Sequence, residues 1–358
     1  MSAFILRRLV LAIPVLLGIL IVTFALGRSI PGDPCRAMLG EKATDAVCKP
    51  FIEKMGLNKP IPTQFALYVT NIFQGNLGDS LRYGRPVTSL LVERLPVTME
   101  LAITALVFAI VLGIPLGILS AYRYNSKLDV ATMVGANIGV SMPVFWLGLM
   151  LAFFFSVILK DTPFVLPPSG RLTAGANYTP FYISWGIAAS EQTASGLLIF
   201  ISRLNILNSI LTLNGQQFVD SARHLILPAI AVGTIPLSII ARMTRSTVLE
   251  TLGQDYVRTA RAKGLSEYRV VVRHAVSNAL LPVITIIGLN FGGLIAGAVL
   301  TETIFGFAGI GKTLFDGITA RDYAIVQGVT LVTAIAFVLI NLLVDILYGY
   351  VDPRIRLS

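Results

Sequence analysis

Eight residues in the last part of the chain match a phosphate-binding motif letter for letter. Gly306 to Thr313, which reads GFAGIGKT, fits the pattern G-x-x-x-x-G-K-[ST], in which backbone N–H groups and a lysine hold nucleotide phosphates. Ile340 to Asp345 imitates the apolar run ending in an aspartate that holds magnesium in such proteins. A phosphate-binding loop, however, joins a buried strand to a helix in a soluble α/β core, whereas this one follows an apolar run of helical length. We therefore interpret it as a glycine-rich turn and expect this chain to bind no nucleotide.

Other reactive side chains are few. His224 and His274 are the only histidines, and two cysteines, Cys35 and Cys48, are too few for a cysteine-rich metal site. The histidines flank apolar runs on opposite sides, and aspartates such as Asp345 lie at the edges of the runs and not inside them, so no catalytic pair for proteolysis within a membrane is visible. We expect no catalytic residue and no metal ion. In an oxidising exterior the cysteines fit either a disulfide, which we predict, or two free thiols.

A basic segment, Leu249 to Leu281, has the pattern of a docking surface. Its cations alternate with apolar residues at helical spacing, which predicts two amphipathic pieces that meet at Gly264. One interpretation is a solvated loop that is basic because it faces the cytoplasm. Such a loop does not need about thirty residues with an apolar face, so we favour a soluble protein partner. The cations are Arg258, Arg261, Lys263, Arg269 and Arg273, and the apolar residues are Ala260, Ala262, Leu265, Val270 and Val271.

The elements that must position these residues are membrane spans. Of the 358 residues, 55% are hydrophobic and 13% are charged, and the mean hydropathy is +0.78, which excludes an ordinary soluble surface. Since a bilayer needs about 20 apolar residues per helix, we predict an all-α polytopic membrane protein with a single membrane domain over residues 1–358. The fourth span is short and contains Pro228 and Pro236. The six predicted spans are Leu9 to Gly27, Leu101 to Tyr122, Val130 to Leu159, Leu225 to Ala241, Ala275 to Thr301 and Tyr323 to Val344.

Charge predicts the orientation. With the N-terminus in the cytoplasm, the inner segments hold 13 Lys and Arg against 6 Asp and Glu, as the positive-inside rule requires. These loops explain the net charge of +9 better than a nucleic-acid partner does. We predict that both termini lie inside, that the first span is not cleaved, and that residues 28–100 form an outer cap and residues 160–224 a second outer segment. Gly196 to Asn214 is a candidate seventh span, but an extra crossing would move the basic loop outside, so we expect it at or beyond the membrane surface.

Motifs along the whole chain resemble one family of transporters. Asp255 to Leu265, which reads DYVRTARAKGL, is followed by His274-Ala275 and by Asn278 to Pro282. This segment closely resembles the coupling segment of permease subunits in the dipeptide and oligopeptide branch of ATP-binding-cassette importers. The chain departs from the general permease pattern in having Arg258-Thr259-Ala260 in place of Glu-Ala-Ala, as is typical of the peptide branch. Similar agreement is found at Ile30 to Pro34, Leu95 to Thr98, Ala241 to Ser246, Thr301 to Gly311, Arg321 to Tyr323 and Val351 to Arg354.

The resemblance implies the fold of a type I importer permease, with six transmembrane helices, cytoplasmic coupling helices and large extracytoplasmic loops. The implied partners are a second homologous permease, two cytoplasmic ATPases, an extracytoplasmic peptide-binding protein and membrane lipid. ATP and magnesium would be bound by the ATPases and not by this chain. Residues from about Ala174 to Val219 resemble nothing in the family, and we interpret them as an insertion.

The implied mechanism assigns roles to the coupling segment. ATP would close the ATPases, which would carry the docked helices with them and rock the spans between inward-open and outward-open states. Gly264 would be the hinge, Ala260 and Ala262 the surface of close approach, and Arg261 and Lys263 its polar rim. The residues assigned to ATPase coupling are Asp255, Arg258, Thr259, Ala260, Arg261, Ala262, Lys263, Gly264 and Leu265.

The translocation path is marked less sharply. Candidate lining residues mix polar groups with residues that favour kinks or close packing, and helix packing alone explains them equally well. A path with few charges would suit varied peptides, although nickel, glutathione and oligosaccharides are alternative cargoes within the family. Outside it, an ion-coupled secondary transporter and a structural membrane subunit are alternatives, but the spans show no ionisable group at mid-depth for ion coupling. The candidates are Asn137, Ser141, Met142, Phe145, Trp146 and Asn290.

Overall fold

The computed structural model describes residues 2–29, 35–36, 43–54, 56 and 58–351, and most of them are helical. Ile30 to Pro34 and Asp352 to Arg354, which carry two of the family motifs, lie outside the described residues. One antiparallel hairpin pairs Asp79 with Pro86 and Ser80 with Arg85. The predicted all-α class is confirmed.

The described elements, in chain order, are α1 (Ser2–Ser29), α2 (Asp45–Lys54), α3 (Ile61–Phe73), β1 (Asp79–Ser80), β2 (Arg85–Pro86), α4 (Val87–Tyr122), α5 (Lys127–Ser141), α6 (Val144–Phe153) with a π-turn (Phe154–Ile158), α7 (Phe181–Ser184), α8 (Gly196–Ser202), α9 (Asn205–Leu211), α10 (Gly215–Leu252), α11 (Asp255–Ala262), α12 (Glu267–Arg269) with a π-turn (Val270–Val276), α13 (Ser277–Gly297), α14 (Val299–Ile304), α15 (Ile310–Thr319) and α16 (Tyr323–Val351).

Each predicted stretch overlaps apolar helical structure: five overlap one continuous helical span each, and the third overlaps the bent pair α5–α6. Within the described residues, five helical spans are long and apolar enough to cross a membrane, and the bent pair α5–α6 supplies a sixth if it crosses as one unit. Helices α4 and α10 contain 36 and 38 residues. At 1.5 Å per residue each is about 55 Å long, nearly twice the hydrocarbon thickness of about 30 Å. These two helices therefore continue well beyond their apolar stretches.

The third predicted span is not one straight helix. Its two halves, α5 and α6, meet at an angle of 103°. The cause is Pro143, which lacks a backbone N–H and forces the preceding Met142 into an extended conformation, with φ −81° and ψ 126°. Each half is shorter than a bilayer-crossing helix, so the pair either crosses as a broken span or turns back within the membrane. Residues Val130 to Leu159 are apolar on both sides of the break, so hydropathy alone predicts a single span there.

Helices α4 and α10 form the centre of the bundle. They approach closely because small residues line their contact: a Cβ added to Gly117 would stand 2.5 Å from the carbonyl oxygen of Ala241, and one added to Gly233 would stand 2.8 Å from that of Ala105. The principal core cluster extends from this pair toward α13 to α16 and includes the fully buried Phe305. The pair gives the other helices a rigid surface to pack on.

The two ends of the bundle are distinguished by what they carry. We call the end with α11 the coupling end and the end with β1 and β2 the hairpin end. At the hairpin end, Ser80 donates a hydrogen bond to Asp322 at 2.8 Å, which ties the hairpin to the start of α16. At the coupling end, Arg8 of α1 forms an ion pair with Asp345 of α16 at 3.1 Å. Helices α1 and α16 therefore run antiparallel.

Each of the two large segments outside the predicted spans contains defined local structure. Cys35 and Cys48 form a disulfide. Gly196 to Asn214 contains two helices of seven residues each, α8 and α9, which are too short to cross a bilayer. The carboxylate of Glu100 in α4 accepts hydrogen bonds from the N–H of Ile206 at 2.7 Å and from Arg171 at 2.5 Å. The segment predicted as an insertion is therefore attached to the central helix pair.

Candidate functional site

The predicted hinge at Gly264 is a glycine-terminated helix end. Gly264 has a φ of +77°, in the left-handed region that favours glycine. Its N–H donates to the carbonyl of Arg261 at 2.9 Å, and the N–H of Leu265 donates to the carbonyl of Ala260 at 3.4 Å. This pair of bonds is the Schellman motif, which satisfies the last carbonyls of a helix and reverses the chain direction. The sequence DYVRTARAKGL therefore forms a short helix with a sharply defined end.

An ion pair joins the two pieces on either side of this turn. The guanidinium of Arg261 donates to both carboxylate oxygens of Glu267, at 2.7 and 3.1 Å. This hydrogen bonding raises the pKa of Arg261 above its usual range. Both side chains are 42% exposed, so the pair contributes less than about 1 kcal/mol to stability. Its bidentate geometry fixes the angle between α11 and α12 more than it stabilises the segment.

The inner face of the coupling segment packs on its own chain. Val257, Ala260 and Val270 form a buried cluster, with Leu252 and Leu265 at its edge. Ala260 is only 5% exposed. The expectation that Ala260 gives a surface for close approach by a partner is therefore wrong in this structure, because its methyl group faces the chain itself. Leu265, the residue after the turn, likewise packs inward.

The outer face of the segment is open to solvent. It includes two tyrosines that were not assigned to coupling from the sequence: Tyr268 is 77% exposed and Tyr256 is 43% exposed. Tyr256 also accepts a hydrogen bond from Asn278 of α13 at 3.0 Å, which connects α11 to the first turn of that helix. Exposed tyrosines between cations are typical of protein interfaces. The exposed residues among those predicted are Asp255, Arg258, Thr259, Arg261, Ala262, Lys263 and Gly264.

A buried charge network lies beneath the coupling segment. Asp129, at the start of α5, is 2% exposed and accepts two hydrogen bonds from Arg245 of α10, at 2.6 and 2.8 Å. Ser120 of α4 donates to the same carboxylate, as does the N–H of Asn125 at 3.0 Å. Three helices therefore meet at one carboxylate. This junction joins α5 to α4 and α10 at the coupling end, and the other end of α5 is the break at Pro143.

Five of the six candidate path residues come together at that break. Asn137, Ser141, Met142, Phe145 and Trp146 line an open cavity of ≈ 750 Å³ on the bent pair α5–α6.

The sixth candidate, Asn290, lies in a second cavity. This cavity has a volume of ≈ 600 Å³ and lies between α6, α10, α13 and α14. Pro143 and Phe145 line both cavities, so Phe145 shares the second cavity with Asn290, and the other four candidates line the first cavity alone. Sequence reasoning did not assign Pro236 of α10 or Thr301 of α14 to the second cavity. Neither lining contains an Asp, Glu, Lys or Arg, so both cavities are neutral.

The motif GFAGIGKT is a turn filled by the chain's own carboxylate. Glu302, which is fully buried, accepts hydrogen bonds from the N–H of Lys312 at 2.8 Å and from the hydroxyl of Thr98 at 2.5 Å. A Cβ added to Gly309 would overlap that carboxylate. The lysine side chain forms an ion pair with Asp316 at 3.2 Å. A nucleotide phosphate therefore has no place in this turn, which follows a helix and not a strand.

Metal binding has no support in the part of the chain that the structure describes. No three His, Cys, Asp or Glu residues there lie close enough together to hold an ion. His224 is buried in α10, where its Nδ1 contacts the carbonyl of Asp220 at 2.9 Å. His274 lies far along the chain, in the π-turn before α13.

Comparison with known proteins gives matches over the whole length of the chain. Residues 113–357 match the family described as binding-protein-dependent transport system inner membrane component, and residues 1–102 match the N-terminal part of such components. The chain is 46% identical to the di/tripeptide transport system permease protein of Pseudomonas aeruginosa, covering 99% of both chains. It is 43% identical to the dipeptide transport system permease protein of Escherichia coli K12, again over 99% of both. An oligopeptide transport system permease protein of Bacillus subtilis is 38% identical, over 99% of this chain and all of the relative.

Proposed function

The chain belongs to the family of binding-protein-dependent transport system inner membrane components, and on that premise we propose that it is the permease subunit of a peptide importer. The importer is of the ATP-binding-cassette class and moves di- and oligopeptides across the cytoplasmic membrane. One observation carries this function: relatives named as dipeptide, di/tripeptide and oligopeptide permeases match 99% of the chain at 38–46% identity. The motifs in the sequence, which resemble those of dipeptide and oligopeptide permeases, support the same function.

The chain is a multi-pass inner-membrane protein and not an enzyme. ATP hydrolysis belongs to separate subunits, which would also bind the magnesium. We further propose that both termini face the cytoplasm, which places the coupling end inside and the hairpin end outside. The excess of Lys and Arg in the short inner segments supports this orientation.

An importer of this class works with other subunits. We propose a second homologous permease beside this chain, two ATPases beneath the coupling end and a peptide-binding protein above the hairpin end. Membrane lipid surrounds the spans, and no nucleic acid takes part. The charged and aromatic outer face of α11 and α12, with Tyr256 and Tyr268, supports the position of the ATPases.

Coupling follows from the stiffness of the segment that docks. The Schellman turn at Gly264 and the Arg261–Glu267 pair hold α11 and α12 at a fixed angle, while Val257 and Val270 attach them to the bundle. Closure of the ATPase dimer would therefore displace the segment as a unit. The Asp129–Arg245 junction would pass the displacement to α5. ATP can drive this change only because it binds one state better than the other.

The neutral cavities at Pro143 suit a cargo of varied sequence. A lining without charged side chains does not select one peptide side chain over another, and it holds no peptide tightly enough to prevent release. The bend at Pro143 places Phe145 at the boundary of both cavities. We propose that rotation of α6 about this break opens the path to one side at a time.

Uptake in whole cells tests the proposed cargo. Deleting this chain should abolish saturable uptake of a labelled dipeptide, and expression of the wild-type chain should restore it. Excess unlabelled dipeptide should compete with the label, whereas nickel, glutathione and an oligosaccharide should not. Uptake unaffected by the deletion would overturn the function. Competition by one of the other three solutes in place of the dipeptide would overturn the cargo.

A further inference from the structure

A groove between α1 and α16 shares no lining residue with the two cavities described above. It has a volume of ≈ 600 Å³ and begins at Arg321, at the hairpin end, and continues along α1 to Pro14. From Thr23 to Pro14 it follows about 14 Å of helix axis. Its walls are mostly aliphatic, and its lining residues are Pro14, Val15, Gly18, Ile19, Val22, Thr23, Ile318, Arg321, Tyr323, Val326, Gln327 and Thr330.

The groove is open where Gly18 forms its wall. A Cβ added to Gly18 would meet nothing within 4 Å. The neighbouring helix surface is apolar and exposed, with Val15 55% and Val22 56% exposed. An aliphatic chain fits such a groove in a membrane, because its mostly apolar walls offer few hydrogen-bond partners to water or to a polar ligand.

Two polar groups at one end of the groove have no side-chain partner among the described residues. The guanidinium of Arg321 is exposed and makes no ion pair or side-chain hydrogen bond to any described residue. The adjacent Asp322 does not neutralise it, because its carboxylate is turned toward Ser80 and the N–H of Arg82. Gln327 is 7% exposed, and its side-chain nitrogen finds no hydrogen-bond partner in the described part of the chain. A buried N–H without an acceptor costs about 1–3 kcal/mol, so an acceptor supplied by a molecule in the groove would remove this cost.

The order of these groups along the groove matches the order of groups in a glycerophospholipid. Arg321 precedes the first residue of α16, Tyr323, whose aromatic ring is of the kind enriched at the membrane–water interface. Gln327 lies about 6 Å deeper, one turn along α16. A phosphate at the level of Arg321 would place the ester carbonyls below it and the acyl chains deeper still, along Gly18 and Pro14. We propose that the groove binds one glycerophospholipid, with its phosphate on Arg321 and an ester carbonyl accepting the N–H of Gln327.

Native mass spectrometry of the purified full-length protein tests this site. The protein, stripped of lipid in mild detergent, is titrated with phosphatidylglycerol and, separately, with a diacylglycerol of the same chains, which lacks the phosphate. The wild type should retain one phosphatidylglycerol per chain and bind the diacylglycerol at least tenfold more weakly. Arg321→Asn should weaken phosphatidylglycerol binding at least tenfold, whereas Arg321→Lys should remain within about threefold of wild type. Asparagine is chosen because Arg321 has a φ of +55°, which asparagine tolerates.

A second variant tests the groove by filling it with a side chain. Gly18→Phe should abolish phospholipid retention because the ring occupies the slot. Gly135→Phe is the matched control, since a Cβ at this α5 glycine also meets nothing within 4 Å and Gly135 does not line the groove. It should bind lipid as the wild type does. If Gly18→Phe does not fold, the comparison of Arg321→Asn with Arg321→Lys tests the lipid site without it.

Three results would overturn the lipid site. Equal retention by wild type, Arg321→Asn and Gly18→Phe would show that the adduct lies elsewhere on the protein. Equal affinities of the wild type for phosphatidylglycerol and for the diacylglycerol would show that the phosphate is not recognised. If Gly18→Phe reduces recovery of another membrane subunit and leaves lipid retention unchanged, the groove belongs to a protein partner.

Discussion

The guanidinium of Arg245, on α10, donates two hydrogen bonds to the buried carboxylate of Asp129, at the start of α5, at 2.6 and 2.8 Å. The two residues are more than one hundred positions apart in sequence, and their contact fixes the coupling end of α5 to the central helix pair. Ser120 of α4 donates to the same carboxylate. The break at Pro143 lies at the opposite end of α5, so α5 connects this ion pair with the candidate path residues at the break.

Removing Asp129 should destabilise the folded protein. Asp129→Ala leaves Arg245 partly buried without a partner, which costs about 3 kcal/mol. We expect the apparent unfolding temperature in detergent to fall by at least about 5 °C. Asp255→Ala is the matched control, because the Asp255–Arg258 pair at 3.3 Å is almost fully exposed and should shift the temperature by about 1 °C or less. Similar shifts for the two variants would contradict the role of the junction.

Gly264 should tolerate asparagine better than alanine or tryptophan. Its φ of +77° costs an alanine about 1–2 kcal/mol, whereas asparagine tolerates the left-handed region. An added Cβ would have no heavy atom of the described residues within 4 Å, so a large side chain projects toward whatever docks there. We expect transport-coupled ATP hydrolysis near the wild-type rate for Gly264→Asn, a reduced rate for Gly264→Ala and none for Gly264→Trp. All three variants should reach the membrane. Full coupled activity in Gly264→Trp would remove this segment from the ATPase interface.

Two alanines of α11 should respond oppositely to the same substitution. Ala260→Glu places a charge in the cluster with Val257 and Val270, which should loosen the segment and make it sensitive to limited proteolysis. Ala262→Glu lies on the exposed face, so it should leave proteolysis unchanged and reduce the amount of ATPase recovered with the purified chain. If Ala262→Glu retains the ATPase fully, or if the two variants cannot be told apart, the outer face is not the docking surface.

Lys312 should be dispensable even though it occupies the lysine position of a phosphate-binding motif. Its side chain pairs with Asp316 at 3.2 Å and is one-third exposed, so Lys312→Ala should cost about 1 kcal/mol or less. ATP hydrolysis by the purified importer should be unchanged. Glu302→Ala, by contrast, leaves Thr98 and the N–H of Lys312 without an acceptor and should lower stability by several kcal/mol, at about 1–3 kcal/mol per group. Loss of ATP hydrolysis in Lys312→Ala would revive nucleotide binding by this chain.

The sequence predicts where the spans lie but not how they bend or how far they extend. Long apolar runs locate the apolar spans of α1 and α16, Leu6–Ala25 and Tyr323–Ile346, within a few residues, because the bilayer requires such runs. The bend of 103° at Pro143 leaves hydropathy unchanged, so Val130 to Leu159 reads as one span. Helix α10 continues through polar residues at both ends, where packing on α4 and not hydropathy maintains it.

The sequence identifies the coupling segment but does not show which of its faces packs on the same chain and which is exposed. The spacing of apolar and basic residues indicates an amphipathic helix and does not say which surface covers the apolar side. Ala260 lies on that side, and in the structure Val257 and Val270 of the same chain cover it. Tyr268 lies outside the motif, so the sequence did not assign it to coupling; in the structure it is 77% exposed. The Asp129–Arg245 pair depends on a contact between distant parts of the sequence.

Dipeptide uptake into proteoliposomes tests the central claim most directly. The complete importer, with its external binding protein, is reconstituted so that ATP and a proton gradient can be supplied separately. The account predicts that a labelled dipeptide accumulates only with ATP, at a rate independent of the gradient, and that Gly264→Trp abolishes accumulation while Gly264→Asn retains it. Accumulation driven by the gradient without ATP would contradict the account and identify the chain as a self-sufficient transporter.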